Sequence, residues 1–134
     1  MAKIHAGFSE LKASHVRLVA AAKAGQGPPA HLLLFYAAEC GLKYVHLRRN
    51  NFRTTEQLGN TDHDLNLLIK NLNLSAAAIG GVPSLHLSRD ENEFCPPSSA
   101  HQAWRYGVRI DRGDEAQFVI WLARICDVVA REYL

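Results

Sequence analysis

The chain has 134 residues, 48% hydrophobic and 21% charged, which suits one soluble domain (residues 1–134) with a core of ordinary size. Its net charge of +2, with a pI near 8.5, is too weakly basic to indicate nucleic-acid binding by itself. Three scattered cysteines without a CxxC pair indicate neither a disulfide framework nor a zinc site, and no apolar run reaches the roughly 20 residues of a membrane span.

Met1–Leu11 lacks a signal-peptide core, so a cytoplasmic protein with reduced thiols is expected. The first predicted helix covers about Gly7–Ala24, where Phe8, Leu11, Ser14 and His15, Leu18 and Ala22 recur at helical spacing. Gly25 is its natural stop. GQGPP (Gly25–Pro29) breaks the chain, and a second helix is expected over Pro29–Arg49. A third is expected over Thr61–Asn73, with Thr61 or Asn60 as cap and Asp62 and Asp64 in the first turn, where the helix dipole favours negative charge. Beyond Leu74 the pattern weakens to a short helix at Ala76–Ile79 and an irregular connection with no convincing strand. Ser98 or Ser99 should cap a helix ending near Arg105 or Tyr106. Arg109–Glu115 reads as a turn, and Asp114 should cap a last helix over Glu115–Tyr133. In that helix Val119, Ile120 and Cys126 widen the apolar face, which predicts a deeply buried helix or one that meets a partner. The fold class expected is all-α, a bundle of about five helices.

The second helix carries the most informative pattern. Apolar residues cover most of its surface, yet Tyr36, Glu39, Lys43, His46 and Asn50 are spaced 3, 4, 3 and 4 and form one polar line. On a solvated strip, Glu39 and Lys43 would make an i,i+4 pair worth about 0.2–0.5 kcal/mol. In an enclosed cleft, facing His101 and Arg105, the same pair must be satisfied to offset its desolvation. The second arrangement is expected, with Trp104 also lining the groove. Gly41, opposite the line, would let a neighbouring helix approach.

HQAWRY (His101–Tyr106) is the densest chemical patch. His101 and Arg105 stand one helical turn apart, an imidazole to move a proton and a guanidinium to hold phosphate. Trp104 or Tyr106 can stack a base, and Arg109 extends the patch. The bland alternative puts Trp104 in the core, His101 near a helix N-terminus, and Arg105 and Tyr106 on the rim. Three arginines in HLRRNNFR (His46–Arg53) form a basic cluster that is either simply solvated or meets an acidic partner or RNA. DHD (Asp62–Asp64) fits helix capping better than metal binding, since alternate helical residues do not share a face. No metal or cofactor is expected.

Four pieces in order, LLLFYAAECGLKYVHL (Leu32–Leu47), HDLNLLIKNL (His63–Leu72), HQAWRYGVRI (His101–Ile110) and FVIWLARICDVVAREYL (Phe118–Leu134), make the chain resemble the HEPN (higher eukaryotes and prokaryotes nucleotide-binding) domain superfamily. The resemblance implies a helical bundle, often homodimeric. In such families many members are metal-independent ribonucleases in toxin, antiviral or RNA-processing systems, and others are binding partners without that activity. The ribonuclease members carry an Arg, four to six residues, then a His; no arginine here has a histidine at that distance. The expectation is therefore a HEPN-like binding module of a prokaryotic defence, toxin–antitoxin or regulatory assembly. It would offer Glu39, Lys43, His46, Trp104, Tyr106 and Arg109 to a partner protein, nucleotide or RNA. The alternative is a metal-independent ribonuclease with an altered site, His101 as acid–base and Arg105 as phosphate clamp.

Overall fold

The computed structural model describes residues 4–59, 61, 63–74 and 76–132. Six α-helices account for most of them: α1 (Phe8–Ala24), α2 (Gly27–Asn50), α3 (Leu65–Leu72), α4 (Ala76–Ile79), α5 (Ala100–Tyr106) and α6 (Arg112–Glu132). The helical bundle expected from the pattern is present, with one helix more than the five anticipated. Among the described residues no helix is long and apolar enough to cross a membrane.

The 24-residue α2 is the axis of the bundle and packs against α1, α6, α3 and α5. Pro28 and Pro29 fit its first turn, where a missing N–H costs nothing, and Asn51 closes it in the left-handed region at φ 54°. Phe35, Ala37, Ala38 and Leu42 of α2 are fully buried with Leu68 of α3, Ala100 of α5, and Phe118, Leu122, Ile125 and Val129 of α6. Each large apolar side chain so buried contributes about 1.5–3 kcal/mol of transfer free energy.

Gly41 is where three helices meet. A Cβ there would lie 2.7 Å from His15 Nδ1 on α1 and 2.8 Å from Val129 Cγ1 on α6. The glycine thus permits the close approach read from its place opposite the polar line. His15 is buried, and its Nδ1–H donates to the Ala37 carbonyl at 2.7 Å.

Three local expectations are corrected. The segment read as free of strands holds an antiparallel hairpin, β1 (Leu85–Leu87) and β2 (Asp90–Cys95). Its inward residues Leu85, Leu87 and Cys95 are buried, but β1 is only three residues long, too short to show alternation in sequence. The last helix starts three residues early. Asp111, not Asp114, caps it, taking the Asp114 N–H on its side chain at 3.0 Å and the Glu115 N–H on its carbonyl. Asp114 Oδ2 accepts instead from His86 N and Nδ1, at 3.0 and 2.9 Å, and so ties the hairpin to α6. The third helix starts at Leu65 and is capped by Asp64, which accepts from Leu67 N at 3.1 Å. Thr61 is buried and outside the helix; the alternative cap Asn60, like Asp62, lies outside the described residues.

Candidate functional site

The late start of α3 is explained by His63. Its backbone adopts φ 55°, a left-handed conformation unusual for a residue with a side chain, and this ends any helical path from Thr61. Two hydrogen bonds hold it there, both to Glu39: the His63 backbone N–H donates to Oε2 at 3.2 Å, and ring Nδ1–H donates to Oε1 at 2.9 Å. Lys43 Nζ donates to Oε2 at 3.0 Å from one turn further along α2. The Glu39–Lys43 pair is thus neither a wet-surface pair nor a pair alone. Glu39 is 6% exposed and makes three charge-assisted contacts. Burial pushes its carboxyl up, but the Lys43 ammonium and the hydrogen bonds from Lys43 and His63 outweigh this. The carboxyl ends below its usual value and is ionised at neutral pH.

With Nδ1 spent on Glu39, Nε2 is the nitrogen that the 41%-exposed His63 ring leaves for a ligand. Beside it stands His101, on the first turn of α5, with ring centroids 4.2 Å apart and planes tilted by 36°. His101 stacks on Phe35 at 5.1 Å and is 3% exposed. Its Nδ1 is buried with no partner at hydrogen-bonding geometry, although the Ser98 carbonyl lies close enough to favour its protonated form. Burial first, then the neighbouring His63 and Arg105, hold the His101 pKa below the ordinary imidazole value, while Glu39 pulls weakly the other way. His101 is therefore mainly neutral at pH 7.

Arg105, one turn along from His101, reaches back to α2 and donates from Nη2 to the Tyr36 hydroxyl at 2.6 Å. The helical spacing that put His101 and Arg105 on one face thus brings both over the Tyr36–Glu39 part of the polar line. Glu39 is enclosed there, at 6% exposed, while His63 is half-buried and Arg105 is exposed.

Other candidates lie elsewhere. Trp104 faces away: its indole N–H donates to Glu115 Oε2 at 2.9 Å, and its ring packs on His31 and Phe118. Trp104 directly precedes Arg105, about 100° away around the helix, so its ring meets α6 while Arg105 meets α2. Arg109 lies past the Gly107 turn, in a different cleft with Arg112 and Glu115. Tyr106 is exposed under the Arg105 guanidinium, 5.9 Å from its ring centroid, on the hairpin side. His46 is half-buried beside Asn50, and burial and then Arg49 hold its pKa below the usual value. The basic cluster is divided as well. Arg49 donates to the Leu72 carbonyl at 3.0 Å and pairs with Glu132, while Arg48 stands over the Phe8 ring. Both tie helices together.

His63 is the functional candidate that sequence reading missed. In sequence it reads only as a metal ligand or capping residue within DHD; among the described residues no group arranged to hold a metal ion occurs. Nothing in the spacing of Glu39 and His63, 24 residues apart, signals their contact. No protein-family model, curated protein or solved structure matches the chain significantly.

Proposed function

We propose that this chain is a HEPN-like helical binding module, working as a homodimer in a prokaryotic defence, toxin–antitoxin or regulatory assembly, that holds a phosphate-bearing ligand, RNA or nucleotide, on the Tyr36–His63–His101–Arg105 face. The observation that carries the reading is the two-point attachment of His63 to the buried Glu39. It fixes the imidazole through Nδ1 and the backbone, beside the His101 ring and the Tyr36 that holds Arg105. One carboxylate there stands with the Lys43 ammonium and, beyond Tyr36, the Arg105 guanidinium, so the face attracts anions. Its openness suits a polymer or a partner surface better than a small enclosed molecule.

For self-association, the support is Ile120 of α6, 45% exposed, beside the half-buried Val119. Cys126, expected on the same strip, is buried with the core instead, and burial pushes its thiol up to about 12. The test of binding is anisotropy of a fluorescein-labelled single-stranded RNA at low salt. Arg105→Gln should weaken binding about tenfold, the loss of one charge-assisted contact, and His63→Ala should weaken it a few-fold, the loss of the Nε2 acceptor for a ribose hydroxyl. Equal affinity for wild type and both variants refutes the reading.

The catalytic alternative is favoured by the same carboxylate–imidazole contact, because a carboxylate on Nδ1 fixes the tautomer whose Nε2 accepts a proton. His63 Nε2 would take the proton of an RNA 2′-hydroxyl as its oxygen attacks phosphorus. The bond from phosphorus to the 5′-oxygen breaks, and that oxygen takes the proton back from His63, against which the neutral His101 ring lies, while Arg105 holds the phosphoryl charge. Cleavage in EDTA that yields a 2′,3′-cyclic phosphate end and is lost in both His63→Ala and His101→Ala would establish this. Intact RNA after long incubation leaves binding alone.

A further inference from the structure

A cleft of about 470 Å³ lies between the end of α5 and the start of α6, apart from the histidine face. Its floor is apolar, from Trp104, Val108 and Ile110, of which Trp104 and Ile110 are buried. Arg109 and Arg112, both exposed, stand along it, and no ion pair engages either among the described residues. The one carboxylate in the wall, Glu115, is already occupied: it accepts from the Trp104 indole and faces His31 Nε2 at 3.8 Å. The loop that carries Arg109 is pinned to the hairpin, since the Arg109 carbonyl accepts from Ser88 N at 2.9 Å and Asp111 N donates to the His86 carbonyl at 2.8 Å. The two guanidiniums are thus presented from a fixed frame, three residues apart.

We infer that this cleft is a binding site for a small amphipathic anion, a flat apolar body bearing a carboxylate, sulfonate or phosphate. The volume falls in the range of small-molecule sites, roughly 300–1,000 Å³. The apolar floor takes the body of the ligand, and the planar guanidiniums take the acidic group in the paired geometry that carboxylates and phosphates favour. A purely hydrophilic anion gains nothing from Trp104 and Ile110, and a neutral apolar ligand gains nothing from the arginines, so the site selects for both properties together.

The probe is 8-anilinonaphthalene-1-sulfonate, a flat aromatic anion whose emission rises in apolar surroundings. Wild-type protein should bind it saturably with one site, and the emission of Trp104 should fall as it fills. The other tryptophan, Trp121, is 2% exposed in the core. Arg109→Gln and Arg112→Gln should each weaken the probe about tenfold, and the double variant should remove saturable binding while circular dichroism stays helical. Arg124→Gln on the outer face of α6 lowers the net charge equally and should leave affinity unchanged. Lys23→Gln tests the separate apolar groove of about 460 Å³ between α1 and α6 and should also have no effect. Unchanged affinity in the two cleft variants, or an equal loss in Arg124→Gln or Lys23→Gln, overturns the inference.

Discussion

Two buried histidines flank α2, and they are built differently. His15, on the Gly41 side, is 1% exposed, and its Nδ1–H is satisfied by the Ala37 carbonyl. His101, on the Glu39 side, is 3% exposed, has a buried Nδ1 without a well-formed partner, and stacks against a second imidazole. Burial lowers the pKa of both. The first is locked by close helix packing, as core polar groups usually are. The second is held by ring stacking in a polar cluster that opens to solvent through His63 and Arg105. Burial alone does not distinguish a structural histidine from one placed for a ligand; its hydrogen-bond partners and its neighbours do.

The sharpest way to break this comparison is one substitution made at both sites. His15→Phe should cost about 3 kcal/mol, because a larger ring must enter the contact that already excludes a Cβ at Gly41, and a buried hydrogen bond is lost. His101→Phe should change stability by less than about 1 kcal/mol, because the ring it replaces already stacks on Phe35. The same variant should abolish whatever the face binds or cleaves. Urea unfolding of the pair decides it: similar losses would mean that both histidines are structural.

The Glu39 cluster itself should respond less strongly. Lys43→Met leaves a buried carboxylate with His63 as its remaining partner and should cost about 2 kcal/mol or more. Adding Glu39→Gln should recover part of the loss, since no stranded charge remains. Equal urea midpoints for wild type and Lys43→Met would reduce the pair to surface decoration. A double-mutant cycle that closes additively would do the same.

On the outer rim, Tyr36→Phe removes the acceptor of the exposed Arg105 and should leave the urea midpoint unchanged. Its effect should appear in binding of labelled RNA, as a loss of a few-fold, because Arg105 is no longer aimed. Identical affinity would show that Tyr36 does not position Arg105.

The smallest effect is on the pH profile. His15, His46 and His101 all have folded-state pKa values below their ordinary 6.5. The unfolded chain therefore binds more protons than the folded one as pH drops below about 6.5. Stability is full above that value and declines as the medium becomes more acidic. Glu39 has the opposite history with the same outcome. Its folded pKa lies below the ordinary 4.5, so its contribution is present above 4.5 and lost as pH falls through the lower folded value. Thermal melts should thus decline in two stages, the first of them reduced in His101→Phe. A midpoint that rises between pH 7 and 5 contradicts the histidine assignment, and one that holds steady below pH 4.5 contradicts that of Glu39.

The sequence by itself determined the helices and the axis of the bundle. The apolar coverage and single polar line of Pro29–Arg49 marked a helix enclosed on most sides, and Gly41 marked the close approach, because both follow from a fixed angular repeat. The four-residue spacing of His101 and Arg105 likewise put them on one face. What only the tertiary structure decided was which side of α5 met which neighbour. Trp104 went to Glu115 and Phe118, Arg109 went past the Gly107 turn to a separate cleft, and the hairpin formed from segments too short to carry a period. His63 is the clearest case. Its left-handed backbone and both of its bonds to Glu39 join residues 24 positions apart, and no local repeat reports on a contact made by folding the chain back on itself.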